Sequence, residues 1–538
     1  MRKNYFIAII LAIGVFVFLF GLGNMALTDP DETFYAESAK EMLNGNELIT
    51  PLIFGKPQFE KPVFYYWLVI SSYKCFGINE FAARFPSAIF GILGLIGVYC
   101  LARILFSPLC GFVSALVMAS SAEYIILARA CVTDMALMVF ILFSLYFFLL
   151  GWKNGKKLPF LIASSMAALA VLTKGPIGLL IPGVIVFFYV LFTKQWKNVK
   201  NIPVVWSVML LLAISLPWYI LAYRAHGTVF INEFFGVHNI TRFLKPEHRI
   251  GTSPFFYIPV VLGGLFPWSM FLPLASWNMF KTKEGFSEIK GREIFLAIWV
   301  LVVFLFFSAS STKLVTYIFP LFPATAIVIG RFWERFIIDR KNDDLPLANH
   351  MRISYSAFLF SGFLAAGLAF FLINHKYPCA GVTKGMLLLE AVLIGGLMLS
   401  LLFFSRGRKR ESFFSIVFTV VFLCVPLVLY VLPVVGDAES SRFLSYKIKE
   451  LAGPDDLIAG ESDHRRGIAF YTDVTDVVDI HPYQSRGDFV LRKERGWGIL
   501  QKKHYDQLKD FKDADFSEIL SQSGKYVLFS NKPYNNEN

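Results

Sequence analysis

Charged residues are scarce in this 538-residue chain, because Asp, Glu, Lys and Arg together make up 17% of it, against about a quarter in ordinary soluble proteins. Hydrophobic residues make up 56%, and the mean hydropathy is +0.57. Long polar stretches are missing from most of the chain, and 57 phenylalanines are spread through the apolar runs. These shortages exclude a soluble globular protein and indicate a multi-pass membrane protein.

Cysteine is also scarce, and its spacing excludes two further kinds of protein. The six cysteines lie mostly inside apolar runs, without the paired spacing of a disulfide framework or the spacing of a metal centre; they are Cys75, Cys100, Cys110, Cys131, Cys379 and Cys424. We interpret them as small core residues.

The net charge of +12 does not indicate a nucleic-acid partner. Lys and Arg occur in short clusters between apolar segments, which is the pattern that orients a membrane protein. We therefore expect contact with membrane lipids and no nucleic-acid binding.

Thirteen apolar stretches approach the ~20 residues that a spanning helix needs. We place them near residues 5–27, 80–105, 109–128, 132–151, 158–173, 176–193, 203–222, 255–277, 293–310, 314–333, 353–373, 384–404 and 412–433. The first stretch is too long for a signal-peptide core and has no small-residue cleavage pattern behind it, so we expect a retained anchor. The predicted fold class is an all-α polytopic membrane protein.

Basic loops predict the orientation of these spans. The clusters that share one side are Lys153 to Lys157, Lys194 to Lys200, Lys281 to Arg292, Arg331 to Arg352 and Arg406 to Arg410. By the positive-inside rule, this side and the N-terminus are cytoplasmic. The opposite, outer side then receives the loops 28–79 and 223–254 and everything after Val434.

The composition changes near Asp437, which divides the chain into a membrane domain, 1–436, and a soluble outer segment, 437–538. The segment is long enough to fold alone. Short apolar runs predict strands, and a polar stretch near 503–522 predicts a helix; the runs are 457–459, 468–471, 477–480 and 526–529. We expect a small α/β domain without a catalytic motif.

The first outer loop begins with a cluster of acids. Asp29, Pro30 and Glu32 have the spacing of an N-cap, a first-turn proline and a capping-box acid, and the apolar spacing that follows predicts an amphipathic helix over 31–44 at the membrane interface. One interpretation is that all three acids only cap this helix. The other is that Asp31, which a single cap does not need, faces a cavity.

Glu60-Lys61-Pro62 precedes an aromatic run, Phe64 to Trp67, of the kind found at lipid headgroups. Lys61 is therefore either an interfacial anchor or a ligand of a lipid phosphate. The second outer loop favours an anionic ligand, since it carries bases where positive-inside statistics do not place them: Arg224, His226, His238, Arg242, Lys245, His248 and Arg249.

Three further charged residues mark the outer ends of predicted spans. Asp134 is costly there without a partner, and Arg129, an outer base or a substrate could supply one. Lys174 and Lys313 occur at sharp turns, and each alone is explained by a helix-breaking turn. Together, however, charges from four separate loops converge on one face.

Several motifs, taken in order, resemble a known family. They are Pro30 to Ala36, Phe59 to Pro62, Ala83 to Ala88 (with Arg84), Thr133-Asp134, Leu172 to Pro176, Asn239 to Phe243, and Lys313 with Tyr317, Pro320 and Pro323. This set resembles the GT-C integral-membrane glycosyltransferases, and most closely the lipid A aminoarabinose transferases, which are related to protein O-mannosyltransferases. The likeness covers the membrane region.

This resemblance implies an inverting transferase of the bacterial inner membrane. It would move a sugar, such as aminoarabinose, from undecaprenyl phosphate to lipid A or another envelope acceptor on the periplasmic face, with no nucleotide cofactor. Asp31 and Asp134 match the catalytic acids. Lys61 and Arg242 match ligands of the donor phosphate, Lys174 and Lys313 are helpers, and Glu32, Arg84 and Tyr317 belong to the matching motifs.

The resemblance also implies a divalent metal ion, which Glu60 would share with a histidine of the later loop. Here the matching position is Asn239, and His238 precedes it, so the metal site departs from the family's pattern. Two alternatives remain for the whole protein: transfer to a protein hydroxyl, and transport of lipid-linked sugars. Transport fits less well, because transporters place polar groups near the bilayer centre.

Overall fold

The computed structural model describes residues 2–245, 253–280, 291–338, 345–462, 464–511 and 516–533. Parts of the predicted basic clusters at 281–292 and 331–352, together with His248 and Arg249, lie outside these residues.

Helices account for nearly all of the first half of the chain. Before residue 200 they are α1 (Arg2–Leu19), α2 (Asp31–Asn44), α3 (Phe64–Phe76), α4 (Glu80–Leu105), α5 (Pro108–Ala119), α6 (Ala122–Ala128), α7 (Asp134–Asn154), α8 (Lys157–Lys174) and α9 (Ile177–Thr193). A short antiparallel hairpin of β1 (Leu52–Ile53) and β2 (Lys56–Pro57) lies between α2 and α3.

The second half of the membrane region is also helical, with several irregular turns. Its helices are α10 (Val204–Ile231), α11 (Arg242–Leu244), α12 (Tyr257–Gly264), α13 (Leu272–Phe280), α14 (Gly291–Ala309), α15 (Phe322–Ile338), α16 (Leu345–Lys376), α17 (Ala380–Ser405), α18 (Lys409–Pro426) and α19 (Leu432–Glu439). A π-helical segment, Asn232–Thr241, joins α10 to α11.

Nine described helices are long and apolar enough to cross a membrane. Two bent helix pairs, α5 with α6 (72°) and α12 with Trp268–Phe280 (109°), pass the same test when each pair is taken together, as a broken span or a re-entrant loop. Two shorter apolar helices, Tyr5–Leu19 and Ile177–Thr193, occupy the remaining predicted spans. The polytopic helical fold is confirmed. The count of thirteen spans and their orientation stay predictions.

The turn between α8 and α9 shows how local sequence positions a charged side chain. Gly175 adopts φ +83°, a backbone conformation that residues with a side chain rarely adopt. Pro176 is the N-cap residue of α9, which begins at Ile177. Lys174 is consequently the last residue of α8, at the same end of the bundle as Asp134, the first residue of α7.

The helix over 31–44 is present, but its predicted cap and its predicted exposure are wrong. Pro30 is the N-cap without a side-chain hydrogen bond, and the Asp29 carboxylate bonds elsewhere. Almost every residue from Glu32 to Met42 is buried, because α3 covers one side of α2 and the C-terminal segment covers another. The local pattern could not show this second cover.

The C-terminal segment contains a five-stranded sheet flanked by helices. Its elements are α20 (Arg442–Leu451), β3 (Leu457–Gly460), α21 (Arg465–Thr472), β4 (Val478–Asp479), α22 (Tyr483–Val490), β5 (Gly496–Gln501), α23 (Lys502–Asp506), β6 (Ser521–Ser523) and β7 (Tyr526–Ser530). The strand order is β4-β3-β5-β7-β6. β3 pairs with β4 and β5 in parallel, whereas the pairs with β7 are antiparallel.

Two expectations for this C-terminal α/β unit are wrong. The run 468–471 is part of helix α21, because Ile468 and Ala469 pack into the core of the unit while Phe470 and Tyr471 pack into the membrane core. A four-residue apolar run does not distinguish a strand from a helix buried on all sides. The described part of 503–522 contains the short helix α23 and strand β6 rather than one helix.

Candidate active site

The three acids at the start of the first outer loop have different surroundings. Asp29 accepts hydrogen bonds from the Thr33 hydroxyl (2.7 Å), the Ser441 backbone N–H (3.1 Å) and the Ser441 hydroxyl (2.9 Å). Asp29 therefore links the loop to the C-terminal α/β unit, and both of its carboxylate oxygens accept hydrogen bonds within the protein.

Glu32 forms a buried, bidentate ion pair with Arg84, at 2.7 Å from Nε and 2.6 Å from Nη2. It also accepts the backbone N–H groups of Thr28 and Cys131 at 2.9 and 2.8 Å. Burial favours a higher pKa for Glu32, but the Arg84 guanidinium and these hydrogen bonds outweigh it, so its pKa is lowered overall. The structure thus places Glu32 and Arg84 in a structural link between the outer loop and α4.

The Asp31 side chain has no hydrogen bond or ion pair among the described residues, and the residue is exposed to solvent. Desolvation by the surrounding protein and the nearby carboxylate of Asp134 raise its pKa. Of the three acids, Asp31 alone keeps its carboxylate available for a ligand. This arrangement favours the interpretation in which Asp31 faces a site rather than capping a helix.

A cavity of about 570 Å³ is lined by three of the four bases predicted to bind the donor phosphate. Four parts of the chain supply its polar residues: the first outer loop, the end of α8, the segment that ends in α11, and the connection between α14 and α15. These residues are Glu60, Lys61, Lys174, His238, Asn239, Arg242, Ser310 and Tyr317. The rest of its wall is apolar. Motifs more than 250 residues apart therefore meet at one site.

Lys61 is a base of this cavity whose pKa is lowered by its surroundings. Burial, together with the neighbouring cations Lys174 and Arg242, lowers its pKa to about 8. Its ammonium donates only to its own neighbour's carbonyl, that of Glu60, at 3.2 Å among the described atoms. The carboxylates of Glu60 and Asp134 act on Lys61 in the opposite sense, and the cavity provides room for a further anion.

Asp134 and Lys174 form an ion pair of 2.6 Å between buried side chains. The Lys174 ammonium also lies 4.8 Å from the centre of the Tyr317 ring, a cation–π contact. The partner that Asp134 requires is therefore Lys174, and not Arg129, which donates to the carbonyls of Val17 and Gly21.

Lys313 is buried next to the cavity rather than in its wall. Its ammonium donates to the Ser310 carbonyl at 2.6 Å, and Ser310 lines the cavity. Among the other predicted outer bases, His226 bonds Thr50 at 2.8 Å, whereas Arg224 and Lys245 are exposed outside the cavity wall.

The predicted metal ligands share the cavity but do not form a ligand cluster. Within the described ranges, no group of three or more His, Cys, Asp and Glu side chains is arranged to hold a metal ion. The Glu60 carboxylate lies 3.9 Å from the Arg242 guanidinium. The Arg242 charge beside Glu60 disfavours a cation there, and metal dependence stays a prediction.

Irregular backbone explains how the later loop reaches the cavity. The π-helical segment carries His238 and Asn239, and Arg242 begins the helical turn after it. π-helical turns are frequent at functional sites, because the extra residue redirects side chains. Two residues of this region belong to no motif and were not predicted from the sequence. The Gln58 amide donates to the Tyr66 hydroxyl (2.8 Å) and accepts the Glu60 backbone N–H (3.1 Å). Arg466 approaches α2 from the C-terminal unit.

The sequence is similar to a glycosyltransferase family model and to several curated proteins. Residues 60–220 match the model of the dolichyl-phosphate-mannose-protein mannosyltransferase family. An uncharacterized protein of Aquifex aeolicus is 30% identical over 73% of this chain and 79% of its own length. The undecaprenyl phosphate-alpha-4-amino-4-deoxy-L-arabinose arabinosyl transferase of Edwardsiella ictaluri is 31% identical over 60% of this chain; the match spans 58% of that protein.

Solved structures show the same fold. The crystal structure of ArnT from Cupriavidus metallidurans bound to undecaprenyl phosphate superposes with a TM-score of 0.81 at 21% identity, over 99% of this chain and 98% of that chain. The oligosaccharyltransferase of Archaeoglobus fulgidus superposes with a TM-score of 0.56 at 13% identity, over 93% and 69% of the two chains.

Fold, matched motifs and relatives agree with the resemblance found in the sequence. Together these findings support a GT-C integral-membrane glycosyltransferase that uses polyprenyl-phosphate-linked sugars, and the chain is similar to the aminoarabinose transferases.

Proposed function

We propose that this enzyme transfers an aminoarabinose-type sugar from undecaprenyl phosphate to lipid A, or to a similar envelope acceptor, on the periplasmic face of the bacterial inner membrane. The observation that carries the proposal is the cavity lined by Lys61, Lys174 and Arg242. Asp31, whose carboxylate has no partner among the described residues, lies near enough to Asp134 and Glu60 for their charges to raise its pKa. The basic loops of the opposite side support this orientation.

An apolar groove next to the cavity suits the lipid tail of the donor. It encloses about 300 Å³ between α9 and α14 and shares Leu180 and Phe306 with the cavity. On α9 it extends from Leu180 to Phe192, which is about 18 Å along a helix. A polyprenyl chain would lie in this groove while its phosphate stays among the bases.

The bases of the cavity stabilise the leaving group. As the bond between the anomeric carbon and the donor phosphate oxygen breaks, the electron pair stays on the phosphate, whose added charge faces Lys61 and Arg242. Asp134 holds the Lys174 ammonium toward the same cavity. We therefore assign Asp134 a positioning role, and we assign Lys313 the role of holding the Ser310 turn.

Asp31 acts on the acceptor side. An ionised acceptor phosphate oxygen attacks the anomeric carbon directly and inverts it, without losing a proton, and Asp31 stabilises positive charge on the sugar ring in the transition state. A hydroxyl acceptor would instead give its proton to Asp31 as general base. No step of this scheme needs a metal ion or a nucleotide.

Transfer to a protein hydroxyl is the second candidate function, because the family model that matches residues 60–220 is that of protein mannosyltransferases. The two acceptors are distinguished by mass spectrometry of lipid A, envelope glycolipids and periplasmic proteins from cells that carry the active enzyme or Asp31→Asn. Loss of a sugar-sized mass from lipid A in the variant supports our proposal. Loss from proteins alone supports the second candidate, and no loss from any of them contradicts both.

A further inference from the structure

Arg466 brings a positive charge from the C-terminal α/β unit close to Asp31. It is the second residue of α21, and its guanidinium carbon lies 4.7 Å from the centre of the Phe34 ring. Phe34 follows Asp31 by three residues on α2, so the two share a helix face. The guanidinium is half-buried and has no hydrogen bond or ion pair within the described part of the chain.

The backbone that carries Arg466 is held firmly against the outer loop. A Cβ at Gly467 would lie 2.2 Å from the Ser441 hydroxyl and 2.4 Å from an Asp29 carboxylate oxygen, so only glycine allows this approach. On the other side, the buried Lys40 ammonium donates to the carbonyls of Ala469 (3.1 Å) and Phe470 (2.7 Å). A cation in so fixed a place is preorganised for a ligand.

The position of Arg466 differs from that of the donor-phosphate bases. Lys61, Lys174 and Arg242 line the cavity, and Arg466 does not. Arg466 is the cation that most lowers the pKa of Asp31, whereas Lys174 and Arg242 are the cations that act on Lys61. The described residues therefore hold two separate positive regions, one in the cavity and one beside Asp31, and a sugar transfer between two phosphates can use both.

We propose that Arg466 binds the phosphate of the acceptor lipid and orients its oxygen toward the anomeric carbon beside Asp31. The inference rests on the proposed function, since it takes the acceptor to be a phosphorylated lipid. A guanidinium presents two parallel N–H groups to a phosphate, and it offsets the repulsion between that phosphate and the Asp31 carboxylate. The C-terminal unit would thereby contribute to acceptor choice.

Equilibrium binding to the full-length protein in nanodiscs tests the proposal. The probes are lipid A with its phosphates, the same lipid after phosphatase treatment, and undecaprenyl phosphate. We expect Arg466→Gln to weaken binding of phosphorylated lipid A about tenfold or more and to leave the affinities for the other two probes unchanged. Arg466→Lys should recover part of the loss, and Lys503→Gln, which removes an exposed cation of the same unit, should bind as the parent does.

Three results would overturn the inference: equal binding of phosphorylated lipid A by the parent and Arg466→Gln, an equal loss for dephosphorylated lipid A, or a loss of undecaprenyl phosphate binding. If Arg466→Gln does not fold, Arg466→Lys decides, because a folded Lys variant with parental affinity also contradicts a bidentate contact. Failure of the proposed function is a separate result. It would be the absence of sugar transfer by the parent while the contrast in binding persists.

Discussion

The charged side chains of the first outer loop fall into two groups: those that pair within the protein, which have a structural role, and those without an ion pair, which are candidates for function. Asp29 and Glu32 are saturated by hydrogen bonds and by Arg84. Asp31 lies between them in sequence and Lys61 belongs to the same outer loop, yet within the described residues neither side chain has an ion pair. A charged group that the fold leaves available at a membrane edge is there for a ligand.

Replacing Lys61 by Ala should weaken the binding of undecaprenyl phosphate. A charge-assisted hydrogen bond contributes about 1.5–3 kcal/mol, so we expect a loss of at least about tenfold in affinity. Isothermal titration in detergent measures it. Lys56→Ala is the matched control, because Lys56 is an exposed lysine of the same loop; a parental affinity in Lys61→Ala would remove Lys61 from the donor site.

The pKa of Lys61 predicts a pH dependence of donor binding. With a pKa of about 8 in the free enzyme, Lys61 is cationic below pH 8 and becomes neutral above it, while a phosphate monoester remains a dianion across this range. Affinity for undecaprenyl phosphate should therefore fall as the pH rises from 7 to 9. Lys61→Arg should flatten this profile, since arginine stays charged; the same slope in both proteins would assign the titration to another group.

At the scale of elements, two links hold the outer loop in place. The Glu32–Arg84 pair joins α2 to α4, and Arg84 also donates to the carbonyls of Leu22, Met25 and Ala26 at 3.2, 2.6 and 2.7 Å. Removing one member of a buried pair leaves the other charge without a partner. Asp31, the neighbour of Glu32, makes no such contact among the described residues.

Glu32→Gln should consequently destabilise the protein by about 3–5 kcal/mol, whereas Asp31→Asn should abolish transfer and leave stability unchanged. Thermal unfolding in detergent, combined with a transfer assay, measures both effects. Because the two substitutions are at adjacent positions, each variant serves as the control for the other. A stable Glu32→Gln protein without activity would instead give Glu32 a direct role in the reaction.

At the scale of the whole molecule, the C-terminal α/β unit completes the outer face of the membrane region. Helix α21 divides its side chains between the two cores. The Tyr471 hydroxyl accepts the Leu27 N–H at 2.8 Å, and Lys40 pairs with Asp473 at 2.9 Å. The unit therefore covers α2, and a charge on α21 can act at the active site.

Lys40→Met should loosen this docking, because the carbonyls of Ala469 and Phe470 would lose their buried donor, at a cost of about 1–3 kcal/mol. We expect faster hydrogen exchange in residues 465–473. Lys449→Met is the control, since Lys449 pairs with the same Asp473 but at an exposed position, where an ion pair contributes about 0–1 kcal/mol. Equal exchange in both variants would show that Lys40 does not hold the unit.

The sequence by itself determined the polytopic helical membrane class and the motifs that converge, because long apolar runs are local signals that the bilayer makes strict. It also singled out Asp31 and Lys61. Only the tertiary structure decided that Glu32 pairs with Arg84, that Asp134 pairs with Lys174, that 468–471 is helical, and that Arg466 reaches α2. Each of these depends on contacts between segments distant in the chain, and no local pattern encodes which distant partner a buried charge or a short apolar run will meet.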